Sequence, residues 1–128
     1  MKTALVGPEL EENLALRYLH ASLVRAGHDS RIFDFNARSQ TVPIARQILE
    51  YGPELVGLSM VFTGRAREFV ALAESLRQEG YAGHITAGGH FASFHADHML
   101  TDVPALDSVV HGEGEGGLVD LVDNLDPK

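Results

Sequence analysis

Five apolar runs of three to five residues recur along the chain: Lys2–Val6, Arg31–Phe35, Leu55–Ser59, Ile85–Ala87 and Ser108–Val110. Runs this short, bounded by glycine, proline and polar residues, read as strands rather than helices. The segments between them carry a different period. Leu16, Leu19 and Leu23 recur at helical spacing, behind the acidic first turn of Glu9, Glu11 and Glu12 and ahead of Gly27, which suits a left-handed cap. Pro43 suits the first turn of a second helix with Ile44, Ile48 and Leu49 on its apolar face, and Tyr51-Gly52-Pro53 ends it. Gly64–Glu79 is the plainest helix. Phe69, Leu72, Ala73 and Leu76 lie on one side, Arg65, Arg67, Glu68, Arg77 and Gln78 mostly on the other, and Gly80 follows as a cap. A short helix is expected over His95–Leu100 and a last one over Leu118–Leu125, with Asn36–Gln40 a polar loop. Strands that alternate with helices must pair in parallel, and helices must cover both faces of the sheet. The expected fold is therefore α/β and three-layered, of the Rossmann-like or flavodoxin-like kind. It has a five-stranded parallel sheet in the order 2-1-3-4-5 with right-handed crossovers.

The 128 residues make one domain, read as spanning 1–125, with Asp126-Pro127-Lys128 a frayed end or an artificial boundary. Ten basic residues are scattered among eighteen acidic ones, for a net charge of −8, which opposes binding to a nucleic-acid backbone. No apolar run approaches the length of a membrane span. Ala4-Leu5-Val6 is too short for the apolar centre of a secretory signal, so a cytoplasmic protein without membrane contact is expected. There is no cysteine, which removes disulfides, thiolate nucleophiles, thiolate zinc sites and cysteine-ligated iron–sulfur clusters from this chain.

Ligands of open parallel sheets bind beyond the carboxyl ends of the strands, at the switch in strand order. Four stretches fall there: Gly7-Pro8-Glu9, Ser59 to Thr63, Gly88-Gly89-His90, and Gly112-Glu113-Gly114-Glu115. Gly88-Gly89 follows its strand without a gap, and missing side chains let a ligand or another backbone come close. Ser59 supplies a hydroxyl at the end of a neighbouring apolar strand. The glycine- and glutamate-rich turn at 112–117 is not a dinucleotide fingerprint. It stands after the wrong strand, and Glu113 and Glu115 would repel a pyrophosphate. His20, His28 and His84 read as surface residues. His90, His95 and His98 lie close enough to consider as metal ligands, but their spacing is common by chance, and no metal site is assigned. Neither a nucleophile elbow nor an acid–base pair fixed by spacing is present, so no catalytic residue is assigned.

The chain resembles the cobalamin-binding domain found at the N-terminus of many radical SAM enzymes, and more distantly those of cobalamin-dependent mutases and methyltransferases. The resemblance covers residues 2 to 125. Asn13-Leu14-Ala15-Leu16-Arg17-Tyr18-Leu19 looks like the family's first helix. Gly57-Leu58-Ser59-Met60-Val61 stands where the family has Ser-x-Leu, with Val61 in place of leucine. Gly88-Gly89-His90-Phe91-Ala92-Ser93 matches the Gly-Gly motif and its sequel in the radical SAM branch. Asp107-Ser108-Val109-Val110-His111-Gly112-Glu113-Gly114-Glu115 is similar to that branch's signature after the fifth strand. The resemblance implies cobalamin as cofactor, its nucleotide tail drawn off cobalt and inserted along the sheet, with Ser59 bonding the tail and Thr63 near its polar atoms. The cofactor-binding residues it implies are Pro8, Glu9, Leu10, Ser59, Met60, Val61, Thr63, Gly88, Gly89, His90, Gly112, Glu113 and Gly114.

Two departures shape the expectation. The mutase and methionine-synthase type carries Asp-x-His-x-x-Gly after strand one, and that histidine binds cobalt. Here the loop is Gly7-Pro8-Glu9-Leu10-Glu11-Glu12-Asn13, without histidine, which implies binding without a histidine ligand. A radical SAM enzyme also needs a cysteine triad, which this chain lacks. The expected role is therefore to carry cobalamin and present it to a radical SAM or methyltransferase module, without catalysis of its own. Two rival readings remain. One is a flavodoxin-like enzyme or switch domain binding a flavin or another nucleotide, although the acidic loop after strand one is poorly suited to phosphate. The other is a signalling receiver, which wants a phosphorylatable aspartate where strand three here ends in Ser59-Met60-Val61.

Overall fold

The computed structural model describes residues 1–7, 14–59, 66–88, 103–110 and 115–125. Their order is β1 (Lys2–Gly7), α1 (Leu14–Arg25), β2 (Asp29–Asp34), a 3₁₀ turn (Arg38–Gln40), α2 (Thr41–Tyr51), β3 (Leu55–Ser59), α3 (Ala66–Gln78), β4 (His84–Gly88), β5 (Ser108–Val110) and α4 (Glu115–Leu125). All neighbouring strands pair in parallel, in the order β2-β1-β3-β4-β5. This is the α/β architecture and the strand order that the alternation of periods requires. The helix expected over His95–Leu100 lies outside the described residues. None of the described helices is long and apolar enough to cross a membrane.

Helices α1 and α3 end alike, and their ends fix where the next strand starts. Gly27 and Gly80 have φ of 92° and 96°, a region in which a side chain is strained. At each end the glycine N–H and the following N–H turn back onto the last carbonyls. Gly27 donates to Val24 and His28 to Leu23, while Gly80 donates to Arg77 and Tyr81 to Leu76. This reversal satisfies carbonyls that the helix leaves unpaired and aims the chain back toward the sheet. The stretch Asn36–Gln40 is more ordered than a polar loop, because the Gln40 side-chain oxygen accepts the Asn36 N–H at 2.7 Å and closes the turn. Helix α4 begins three residues before the apolar pattern does, since Gly116 and Gly117 have no periodicity to read.

The two faces of the sheet differ. Against α2 and α3 the strands present large apolar groups: Val6, Phe33, Phe35, Val56, Leu58 and Ile85 pack with Ile44, Ile48, Phe69, Leu72 and Leu76. Phe35 and Phe69 meet edge to face, 5.2 Å between centroids. Against α1 and α4 the buried apolar cluster is smaller, namely Leu5 and Leu55 with Leu16, Leu23, Leu118 and Val122. Alternation puts Gly57, Ser59, Thr86, Gly88 and Ser108 on this second face, across β3, β4 and β5.

Polar contacts pin the amino-terminal edge. Arg77 donates to the carbonyls of Ala105, Tyr81 and Gly83 and forms a 2.6 Å pair with Asp107, which also accepts the Ile85 N–H. One side chain thus joins α3, the start of β4 and the approach to β5. His28, read from sequence as a surface residue, is 8% exposed; its Nε2 lies 2.7 Å from Asp123 Oδ1 on α4. His20 and His84 are half-buried and bonded to Ser30 and Ser108. Tertiary partners placed these rings, and no local pattern announces such partners.

Replacing Arg77 by Met should lower stability by about 3 kcal/mol and the melting temperature by roughly 10 °C, since charged hydrogen bonds to several carbonyls are lost together. The Tyr81 hydroxyl is buried without a hydrogen-bond partner among the described residues. Burial, the largest influence, raises its pKa to about 12, against the opposing pull of Arg77. The fold therefore favours the neutral phenol. Its stability contribution is complete below pH ~10, where the unfolded chain titrates, and is lost as pH rises toward ~12. Tyr81→Phe should stabilise the protein by about 1 kcal/mol at neutral pH and flatten the decline in alkaline melts.

Candidate functional site

Strands β1, β3, β4 and β5 end at one edge, at Gly7, Ser59, Gly88 and Val110. Strand order reverses between β1 and β3, so the crevice such a reversal opens lies at this edge. Ser59 and Gly88 stand opposite each other in the register of β3 and β4. These two expected site residues are thus brought together, both half-buried. The remaining expected residues, Pro8, Glu9, Leu10, Met60, Val61, Thr63, Gly89, His90, Gly112, Glu113 and Gly114, lie outside the described residues.

The reason for glycine at position 88 separates this site from ordinary close packing. Gly83 has no room for a side chain: an added Cβ would collide with the Tyr81 hydroxyl and fall 2.8 Å from the Glu54 carbonyl. At Gly57 it would press on Leu5 Cδ2 at 3.2 Å. At Gly88 the nearest described atoms are the Val110 carbonyl at 3.8 Å and the Val110 Cβ at 4.0 Å, which is ordinary contact. Its backbone does not enter the positive-φ region either. Neither local conformation nor the described neighbours require glycine there.

One row below, toward the amino-terminal edge, Gly57, Thr86 and Ser108 align across β3, β4 and β5. Ser108 donates its hydroxyl hydrogen to Thr86 Oγ1 at 2.8 Å, and Thr86 donates to the Ser108 carbonyl at 3.2 Å. His84 Nε2 lies 2.8 Å from Ser108 Oγ. Sequence reading left Gly57, Thr86, Ser108 and His84 out of the site residues. Their signal was parity: they fall on the same strand face as Ser59 and Gly88. Among the described residues no group of His, Asp or Glu is placed to hold a metal ion, and what they bring to this part of the sheet is small side chains and hydroxyls.

The sequence profile of the B12 binding domain fits residues 5–122. The chain belongs to the B12-binding domain family. Its cofactor is cobalamin. Among curated relatives of this B12-binding domain, the hopanoid C-3 methylase of Methylococcus capsulatus is 33% identical over 115 residues, covering 89% of this chain and 22% of that protein. An uncharacterized methyltransferase of Pyrococcus horikoshii is 32% identical over 115 residues, covering 88% of this chain and 24% of that protein. The chain thus spans less than a quarter of the length of these relatives.

Two solved structures share the fold. The methanol:cobalamin methyltransferase complex MtaBC of Methanosarcina barkeri superposes with a TM-score of 0.74 at 10% identity, over 98% of this chain and 46% of that one. A response regulator of Burkholderia multivorans gives 0.68 at 17% identity, over 99% and 96%. At such identities the likeness concerns the fold alone, which receivers and B12-binding domains have in common.

Gly88→Ala should fold with a melting temperature within a few degrees of the unaltered protein, because its Cβ meets only ordinary contacts. Gly83→Ala should lose about 2 kcal/mol or more, because the clash includes backbone. Paired thermal melts check the contrast.

Proposed function

We propose that this B12-binding domain holds cobalamin with the lower base detached from cobalt, with no histidine of the chain on cobalt, and presents the corrin to a partner module. The observation that carries the reading is Gly88 beside Ser59, a glycine that its described neighbours do not require, on the face where β3, β4 and β5 carry small residues. A base drawn off cobalt needs a slot that penetrates the domain, and strands walled by glycine and serine leave one where leucine or valine would fill it. The Ser59 hydroxyl is positioned at the slot's rim to bond the tail. Gly89, Thr63, Met60 and Val61 continue the same walls in sequence. Pro8, Glu9 and Leu10 follow β1 in sequence, Gly112, Glu113 and Gly114 follow β5, and the resemblance assigns them to the rest of the corrin's seat.

Detachment from a protein histidine is supported by the sequence after β1, Pro8-Glu9-Leu10-Glu11-Glu12-Asn13, which contains none. His90 follows the end of β4 by two residues and His111 the end of β5 by one; the role assigned to His90 is to line the site, not to ligate. Bound cobalamin supplies a cobalt centre able to take up and hand on a methyl group. The chain's own residues bind and orient it. A partner of radical SAM, methyl-transfer type is supported by the sequence resemblance and by the methylase and methyltransferase relatives, which are more than four times as long as the segment matched. Such a partner would have to supply the cluster-binding cysteines that this chain lacks.

The test is to mix the protein with hydroxocobalamin, desalt it and record the visible spectrum. Retention of about one equivalent with a base-off spectrum is expected, and a colourless eluate at high protein concentration overturns the reading. In the Co(II) state, paramagnetic resonance should show no nitrogen splitting; a protein nitrogen on cobalt would refute the histidine-free mode. Gly88→Val should abolish retention while leaving the circular dichroism unchanged. Ser59→Ala should weaken binding about fivefold, the worth of one neutral hydrogen bond.

A further inference from the structure

The geometry points to a second copy of this chain as the partner of the layer formed by α1 and α4, in a weak twofold dimer. The two helices lie side by side on one face of the sheet, joined through Leu16, Leu23, Leu118 and Val122. Their outer surface is not uniformly polar. Among the described residues four large apolar side chains are exposed, and three of them are here: Tyr18 at 57%, Val24 at 52% and Leu125 at 37%. The charges around them are sorted by helix. α1 carries Arg17 and Arg25, both exposed, and no acid. α4 carries Glu115, Asp120 and Asp123 and no base. In a chain of net charge −8, a helix whose only formal charges are positive is the exception.

This sorting makes the layer self-complementary. α1 returns from the carboxyl to the amino edge of the sheet. α4 runs the same way, because it starts after β5 and its Asp123 meets His28 just beyond the end of α1. That contact sets Asp123 level with the last turn of α1. A twofold axis parallel to the helices and midway between them lays α1 of each copy on α4 of the other and keeps that level. Arg25 then comes opposite the turn Asp120–Asp123, and Val24 comes near Leu125. Arg17 precedes Arg25 by eight residues, as Glu115 precedes Asp123, so the charges on both helices share a spacing of about 12 Å. The dyad makes each of these contacts twice. An axis laid across the helices would instead set α1 on α1 and oppose arginine to arginine. The strength follows from size. Helices of 12 and 11 residues cover roughly 18 by 20 Å, less than the ~800 Å² per partner of a standard interface. The dimer is therefore weak, with a dissociation constant on the order of 100 µM, and sensitive to salt.

Sedimentation equilibrium of the full chain, from about 5 µM to about 1 mM, tests this. A reversible monomer–dimer equilibrium is expected, weakened about fivefold when salt rises from about 0.1 M to 1 M. Arg25→Glu and, separately, Asp120→Arg should each weaken dimerisation about tenfold or more, since each sets like charges against one another at both contacts. Both positions are exposed, so both variants should melt within a few degrees of the unaltered protein. Mixed in equal amounts, the two variants should dimerise with each other, because opposite charges then face one another at both contacts. Three results overturn the proposal: a chain that stays monomeric throughout the range, variants that dimerise alone as well as the unaltered protein, or a mixture that stays monomeric. The first of these would leave the α1 surface to a different protein.

Discussion

A parallel sheet can be closed only by returning each strand to the same starting edge, and everything distinctive about this domain follows from that constraint. The crossovers cover both faces with helices, and every strand discharges its carboxyl end at one rim. Residues from positions as distant as Gly7, Ser59, Gly88 and Val110 become neighbours because their strands run in one direction and in register. The opposite rim carries the mechanical work. There Arg77 and Asp107 tie α3, β4 and the approach to β5 together. The stabilising polar contacts and the edge at which ligands of such sheets bind thus stand at opposite ends of the same strands.

The division between the faces has a similar logic. The face toward α2 and α3 is filled with phenylalanine, leucine, isoleucine and valine, and most of the burial that holds the domain together lies there. The face toward α1 and α4 has its apolar cluster around Leu5 and Leu55, while β3, β4 and β5 carry glycine, serine and threonine on that side. A domain that packed both faces equally would gain stability but lose the row of small residues along β3, β4 and β5.

Much of the fold was legible because its signals are local. Short apolar runs between helical periods dictated parallel pairing, and Gly27 and Gly80 announced their helix ends by residue type alone. Boundaries moved where the local signal was weak, as at β2, which begins at Asp29 because it pairs with Lys2 across the sheet. The site was legible in part. Ser59 and Gly88 were visible as interruptions at the ends of apolar strands, and the structure sets them side by side. The hydroxyl row beneath them was not visible, because Thr86 and Ser108 are ordinary strand residues until register places one beside the other. The burial of His28 was hidden for the same reason, its partner Asp123 being 95 positions away.

The pairing of His28 with Asp123 also ties distant parts of the chain together. It joins α4 near its last turn to the turn between α1 and β2, while Leu118 and Val122 of the same helix sink into the cluster around Leu5 and Leu55. The last helix is thus fastened to the first crossover by one polar contact and one apolar seam, and loosening either would unclasp the carboxyl-terminal part of the fold from the part that is made first.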